Sequence, residues 1–253
     1  MSNRIVESSG TVVRALLARA ALVSALGLGT LAPRLAAQVG YDPAHSPFED
    51  VGTRQSFTTF VSEFLGNRGH AGTGLQSGLA VGGRFTTALS GTIELWGTVA
   101  SISSKRAVLD PSLPDSTRVT GTQDLRLVSA DLGIALRLTG NKTWHGLSPY
   151  VGLAFGVVSP TSEQTDPGGY RVGSNITMAP TLGTRARIGR FLSITVEARD
   201  NLIRYEWPSK YFFPTDVNGN LISPPVLNPA TEKDTQTTHN FTLTAGLSLH
   251  FNF

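Results

Sequence analysis

A period of two in the apolar residues is the feature that most constrains this 253-residue chain. Near the C-terminus every odd position from 241 to 253 is apolar, while the even positions from 240 to 252 hold polar residues or glycine. Successive side chains of a β-strand point to opposite faces. The segment therefore predicts a strand with one apolar and one polar face.

The same alternation recurs along the chain. Six further segments show it, near residues 75–85, 93–99, 128–138, 151–157, 176–188 and 192–198. A weaker candidate spans Ser56 to Leu65. Because single-chain bacterial barrels have an even number of strands, the weak candidate is counted as the eighth.

The joins between these segments alternate in length. Short joins lie at 90–91, 139–147 and 189–190, and mostly longer ones lie near 66–73, 104–123, 159–174 and 205–236. Tight turns on one side and long loops on the other are typical of transmembrane barrels. We predict an all-β fold, an eight-stranded antiparallel up-and-down transmembrane β-barrel. A ten-stranded barrel stays open if residues 201–222 form a hairpin.

The N-terminal region predicts export. Arg4, Arg14 and Arg19 precede an apolar stretch that ends at Arg34, and Ala36-Ala37 follow. This layout predicts a signal peptide over 1–37, and the apolar stretch is shorter than the roughly 20 residues of a membrane-spanning helix. Residues 38–53 are then a short periplasmic tail, and residues 54–253 form the barrel.

Charge and cysteine content exclude several classes of function. Residues 1–37 alone account for the net charge of +3, because they contain four arginines and one glutamate. The rest of the chain is neutral overall, so we expect no nucleic-acid binding. The chain has no cysteine, which excludes disulfides, thiolate metal sites and cysteine nucleophiles. We predict neither a cofactor nor a metal.

The last strand resembles the C-terminal assembly signal of bacterial outer-membrane proteins, with Leu247, Leu249, Phe251 and a final Phe253. Together with the leader and eight strands, residues 54–253 resemble small OmpA/OmpX-like eight-stranded barrels. The resemblance implies a bacterial outer-membrane location, contact with outer-membrane lipid, and insertion by the barrel-assembly machinery. It does not extend to the periplasmic domain of full OmpA-type proteins. We expect a monomer.

Charged residues within the predicted strands lie on the polar face or near the rims. An arginine facing lipid at mid-depth costs roughly 2–4 kcal/mol, so we predict that they face the lumen and pair there. Arg84 is expected to pair with Glu94 and Arg185 with Glu197, each across a tight turn, and Trp96 to stack with Arg84. The predicted lumen network comprises Glu63, Arg84, Glu94, Asp131, Arg137, Arg185, Arg187, Glu197 and Arg199.

Two further local predictions concern the rims. Arg126 lies where the apolar stripe changes parity, which predicts a β-bulge. Aromatic residues near the predicted strand ends suggest two interfacial girdles. The members are Phe85, Trp144, Tyr150, Phe191, Phe251 and Phe253 on the periplasmic side and Phe64, Tyr205 and Trp207 on the outer side.

For function we predict a structural or surface-interaction role through the extracellular loops, with the Pro-rich loop 205–236 as the contact surface. The alternative is a narrow ion-conducting pore gated by the Arg/Glu pairs. A lipid-modifying enzyme is more distant: His239 with Asp234, or His70 with Glu63, would meet near the outer rim. Neither pair has the third group of a catalytic trio, so we predict no enzymatic activity and no catalytic residue.

Overall fold

The computed structural model describes residues 46–216 and 218–252. The predicted signal peptide, tail residues 38–45 and Phe253 lie outside these ranges. The described residues include two short helical turns, Asp115–Thr117 and Ser209–Phe212, and no helix among them is long and apolar enough to span a membrane. The strands are β1 Phe48–Asp50, β2 Gln55–Leu65, β3 Gly78–Ala88, β4 Ile93–Leu109, β5 Val119–Arg137, β6 Lys142–Trp144, β7 Leu147–Pro160, β8 Asn175–Ile188, β9 Leu192–Glu206 and β10 Thr235–Phe251.

Eight of these strands close into an antiparallel up-and-down barrel. Strands β2, β3, β4, β5, β7, β8, β9 and β10 pair in that order, and β10 returns to β2. Strands β1 and β6 pair with each other beside the wall. The predicted fold class is therefore confirmed. The ten-stranded alternative is wrong, because residues 201–222 hold the end of β9, a helical turn and one isolated bridge, Thr215–Leu221.

The two ends of the barrel differ in their connections. One end carries the joins 89–92, 138–146 and 189–191 together with both ends of the described chain, and we call it the turn end. The other carries residues 66–77, 110–118, 161–174 and 207–234, and we call it the loop end. In barrels of this architecture, short turns face the periplasm and long loops face the exterior.

The outer face of the barrel is a continuous apolar surface over most of its height. Leu132, Ile176 and Phe155 are 73%, 80% and 56% exposed although they are large and apolar. Leu247 and Leu249 of the predicted assembly signal lie on the same face, and the Phe251 ring lies 6.4 Å from that of Phe85. Exposed apolar area on this scale indicates contact with lipid.

Strands β4 and β5 both extend into the segment 104–123, which the sequence predicts as a loop. Near this end of the barrel, apolar side chains point inward instead of outward. Leu125 and Leu127 are buried inside the barrel, whereas Asp124 and Arg126 point outward and are exposed. The bulge predicted at Arg126 is wrong: the ladder is continuous there, and its register shift lies between Val108 and Leu109. The stripe changes parity because the apolar face turns inward above the lipid.

An apolar core fills the loop end. Tyr170, Trp207 and Tyr211 stack, with ring centroids 4.9 Å apart for Tyr170 and Trp207 and 6.1 Å for Trp207 and Tyr211. Phe64 and Tyr205 pack in the same core. The outer aromatic girdle predicted from Phe64, Tyr205 and Trp207 is therefore wrong, since these side chains point inward. Tyr150 also points inward, whereas Phe85, Trp144 and Phe191 are exposed on the outside.

The described part of the predicted tail lies against the turn end. Strand β1 pairs with β6, and Val51 donates a backbone hydrogen bond to Asn141. The Asn252 side chain donates to the Gly52 carbonyl and accepts from the Arg54 backbone N–H, at 2.8 and 2.7 Å. These contacts connect the segment that precedes the barrel to the last residues of β10.

Candidate functional site: the charged lumen and the core above it

Four charged side chains form a balanced layer at mid-height, which we call the mid-barrel layer: Arg84, Asp131, Glu197 and Arg199. Arg84 forms two hydrogen bonds with Glu197, one of them 2.7 Å from Nη2 to Oε1. Arg199 Nη1 lies 2.7 Å from Asp131 Oδ2, and its Nε lies 3.6 Å from Glu197 Oε1. All four have largely buried side chains, so these pairs close the lumen at this height.

Two aromatic side chains complete this layer. The Trp96 ring lies 5.1 Å from the Arg84 guanidinium carbon, as predicted, and its indole N–H donates to Asp131. The Tyr150 hydroxyl donates to Glu197 at 2.7 Å. A side chain at Gly133 or Gly152 would collide with the Trp96 ring, so these glycines allow a large residue to fit inside a narrow barrel.

A second group of charges lies nearer the turn end, and we call it the turn-side layer: Glu94, Arg137, Arg185 and Arg187. Glu94 accepts from Arg185 at 2.7 Å and lies 3.6 Å from Arg137 Nε. Arg185 also lies over the Tyr150 ring, 4.6 Å from its centroid. Arg187 is half-buried and donates to Thr53 and to the Arg190 carbonyl.

The predicted pairs have exchanged partners. Arg84 pairs with Glu197 rather than Glu94, and Arg185 pairs with Glu94 rather than Glu197. The tight-turn geometry predicted neighbours on adjacent strands, but inward side chains in a barrel of eight strands reach across the lumen. Arg84 on β3 therefore meets β9, and Arg185 on β8 meets β4.

Glu63 does not belong to the lumen network. It lies on β2 between Val61 and Leu65, both exposed on the outer face, and it shares their parity. Its inward neighbours are Ser62 and Phe64. The prediction for Glu63 is wrong because the two faces of the strand exchange their character near the loop end. There the apolar Phe64 points inward into the core, and Glu63 points outward.

A buried ion cluster attaches the 161–174 loop to the wall, and sequence reasoning missed it. Arg106 on β4 is fully buried, with Nε 3.1 Å from Glu163 and Nη1 2.7 Å from Asp166. Burial raises the pKa of the Tyr170 and Tyr211 hydroxyls beside this cluster. The only signal of this cluster in the sequence was Arg106 itself, which has inward parity but lies in the segment 104–123 that the sequence predicts as a loop.

The histidines meet different partners from those predicted. His239 Nδ1 lies 2.6 Å from Asp200 rather than near Asp234, and His70 lies 3.6 Å from Glu232 rather than near Glu63. His250 is hydrogen-bonded to Ser193, which is fully buried. Within residues 46–216 and 218–252, no group of three metal-ligating side chains is clustered.

Two small cavities lie along the lumen. One of about 50 Å³ is lined by the mid-barrel layer and by loop-end residues such as Phe64 and Ile203. The other, of about 20 Å³, is lined by the turn-side layer and by His250. At roughly 10–15 Å³ for each water, the first cavity has room for a few water molecules and the second for one.

No protein-family model matches the chain, and no curated protein matches it either. Solved structures do. OprG from Pseudomonas aeruginosa is 12% identical with a TM-score of 0.51, over 82% of this chain and 100% of that one. The N-terminal barrel of Pseudomonas aeruginosa OprF (11%, 0.42, 79% and 99%) and Neisserial surface protein A (14%, 0.43, 81% and 98%) also match.

The likeness to OprG agrees with the strand pairing: this is the fold of the small outer-membrane β-barrels. Eight closed antiparallel strands, an apolar outer surface and a charged interior define that class. The chain accordingly has the fold of the eight-stranded outer-membrane β-barrels, with an apolar outer surface.

Proposed function

We propose that this protein has a structural or surface-interaction role, carried by the extracellular loop 205–236 rather than by its lumen. The observation that carries the proposal is the core that loop side chains form in the barrel mouth. Trp207, Tyr211 and Leu227 of this loop are buried there. A loop fixed in this way presents its outer residues on a rigid base, which lowers the entropic cost of binding a partner.

The tip of this loop has the features of a contact surface. Phe213 and Leu221 are 59% and 73% exposed. Between them the Asp216 carboxylate accepts hydrogen bonds from Asn220 and Asn218, which hold its pKa below the usual range. Phe is among the aromatic residues that are enriched in protein–protein interfaces, so Phe213 is the residue of this tip that we expect to contact a partner.

A photo-crosslinking amino acid at Phe213 in intact cells tests this role. Phe155, which is 56% exposed in the apolar band, is the matched control for exposure. We expect a protein adduct of defined mass from position 213, lost with Leu221→Ser, and only lipid adducts from position 155. Equal patterns at both positions, or no protein adduct at 213, would contradict a contact role for this loop.

A narrow ion-conducting pore is the second candidate, favoured by the cavities on either side of the buried ion pairs. Planar-bilayer recordings of the purified protein separate the two roles. A surface protein is expected to give no reproducible conductance steps. Steps whose size or duration changes with Glu197→Gln would support the pore and count against our first proposal.

The proposal includes a monomeric barrel in outer-membrane lipid, inserted by the barrel-assembly machinery through Leu247, Leu249, Phe251 and Phe253. It also includes the absence of catalysis. The Asp200–His239 pair is exposed beside Phe241, but no hydroxyl among the described residues is hydrogen-bonded to His239. A nucleophile needs such a base within reach. The Ser193 hydroxyl is hydrogen-bonded to His250, but Ser193 is fully buried and offers no surface to a substrate.

A further inference from the structure

The two charged layers of the lumen differ in their charge balance. The mid-barrel layer has two arginines and two carboxylates. In the turn-side layer, Arg137 and Arg185 share the single carboxylate of Glu94, and all three are more than nine-tenths buried. At least one buried positive charge therefore has no counter-charge among the described residues.

The neighbouring groups do not remove this excess. Arg137 Nη2 donates to the carbonyls of Ser90 and Gly91, at 3.3 and 2.7 Å, which satisfies donors without neutralising the charge. Arg187 adds a further positive charge; it also lines a surface pocket that contains Glu49 and Asp50 together with Arg190, so the two carboxylates of that pocket are matched by two arginines.

An uncompensated buried charge is costly, of the order of several kcal/mol. A lysine or histidine in this position would lose its proton, but an arginine does not deprotonate in proteins. A negative ion from solution can supply the counter-charge that the described residues do not. The Nε of Arg137 is buried and, although it lies 3.6 Å from Glu94, makes no hydrogen bond to the described residues, so its N–H can donate to an anion.

The cavity beside these residues has the size and lining for such an ion. Its volume is about 20 Å³, and it is lined by Arg137, Arg185 and Arg187. The hydroxyls of Ser56, Thr86 and Ser148 also line it, as do Arg54, His250 and the carboxylate of Glu94, which is paired with Arg185. One water-sized occupant needs roughly 10–15 Å³ of such volume, so a single-atom anion fits better than a tetrahedral oxyanion.

From this geometry we propose that the turn-side layer is a binding site for a halide-sized monovalent anion, chloride under physiological conditions. Arg137 and Arg185 supply the charge, the hydroxyls supply further donors, and Glu94 orients the two guanidinium groups. The site completes the electrostatics of the barrel and is independent of the role proposed for loop 205–236.

The test is halide-dependent stability of the full-length protein purified in detergent. Unfolding midpoints are measured in sodium bromide, sodium sulfate and sodium gluconate at equal ionic strength. Ligand that binds only the folded state raises the midpoint with concentration, so we expect a rise with each tenfold increase in bromide and none in gluconate. Sulfate stabilises folded proteins non-specifically, so a rise with sulfate but not bromide that disappears in Arg137→Gln would overturn the size assignment.

Opposite substitutions in the same layer identify the site. Glu94→Gln increases the excess positive charge and is expected to steepen the bromide dependence. Arg137→Gln balances the layer and is expected to abolish it. Arg199→Gln removes a buried arginine from the mid-barrel layer instead, and the bromide dependence should remain.

Chloride binding to the wild-type protein can also be measured directly, which tests the proposal even if the variants fail to fold. Exchange of chloride with a protein site broadens its ³⁵Cl resonance, and we expect the wild-type protein to broaden it and excess bromide to reverse the effect. A wild-type protein that leaves the chloride line unbroadened, with equal midpoints in bromide and gluconate, would overturn the proposal.

Discussion

The part of the barrel around mid-height and the part near the loop end place their polar and apolar side chains on opposite faces of the wall. Around mid-height the outside is apolar, as at Leu132, and the inside is charged, as at Glu197. Near the loop end of the same strands the outside is polar, as at Arg126, and the inside is apolar, as at Leu127. Both parts continue the same antiparallel ladder.

The difference shows that solvent, rather than strand geometry, decides which face of a β-barrel is apolar. A strand alternates in either case. Where lipid surrounds the wall, apolar residues face outward and polar residues must satisfy one another inside. Where water surrounds the wall, apolar residues gain by turning inward, and the loop end becomes an ordinary apolar core.

The largest expected effect comes from breaking the charged interior. Glu197→Gln leaves Arg84 and Arg199 with less counter-charge, and loss of one partner from a buried pair costs about 3–5 kcal/mol. Urea unfolding in lipid vesicles, followed by heat-modifiable gel mobility, measures the loss. The double variant Glu197→Leu/Arg84→Met removes both charges and should recover part of the stability; no recovery would mean that packing dominates this layer.

A smaller effect should follow from an arginine on the outer face, and it depends on height. Leu132→Arg places a charge against lipid and is expected to cost roughly 2–4 kcal/mol. Thr122→Arg, on the same face of the same strand but near the loop end, should be close to neutral. The two variants are compared by folding yield in vesicles, and equal losses would contradict the inversion of polarity.

The smallest effect is expected for an ion pair on the outside of the loop end. Lys105 Nζ lies 3.1 Å from Asp124, but both side chains are largely exposed. Exposed pairs contribute about 0–1 kcal/mol and weaken with salt, so Lys105→Ala should barely shift the unfolding midpoint. A shift comparable with that of Glu197→Gln would show that this region is less hydrated than the exposure of its side chains indicates.

Much of the fold was predictable from local sequence. Alternation identified the barrel strands, and the order of short and long joins predicted the closed up-and-down topology. The lumen positions of Arg84, Asp131 and Glu197 followed from parity. Arg106 was missed because its segment was predicted as a loop, and Glu63 was misplaced because it lies where the apolar face turns inward.

Parity did not predict which charged side chains pair with each other. The sequence of each strand shows which of its faces is apolar, because neighbouring residues alternate between two environments. The sequence by itself therefore determined the apolar outer band and most inward charges, and it favoured eight barrel strands over ten. Only the tertiary structure decided that Arg84 meets Glu197 and that the loops fill the mouth with their own core. Those contacts join residues far apart in the chain, and the curvature and stagger of the closed barrel bring them together.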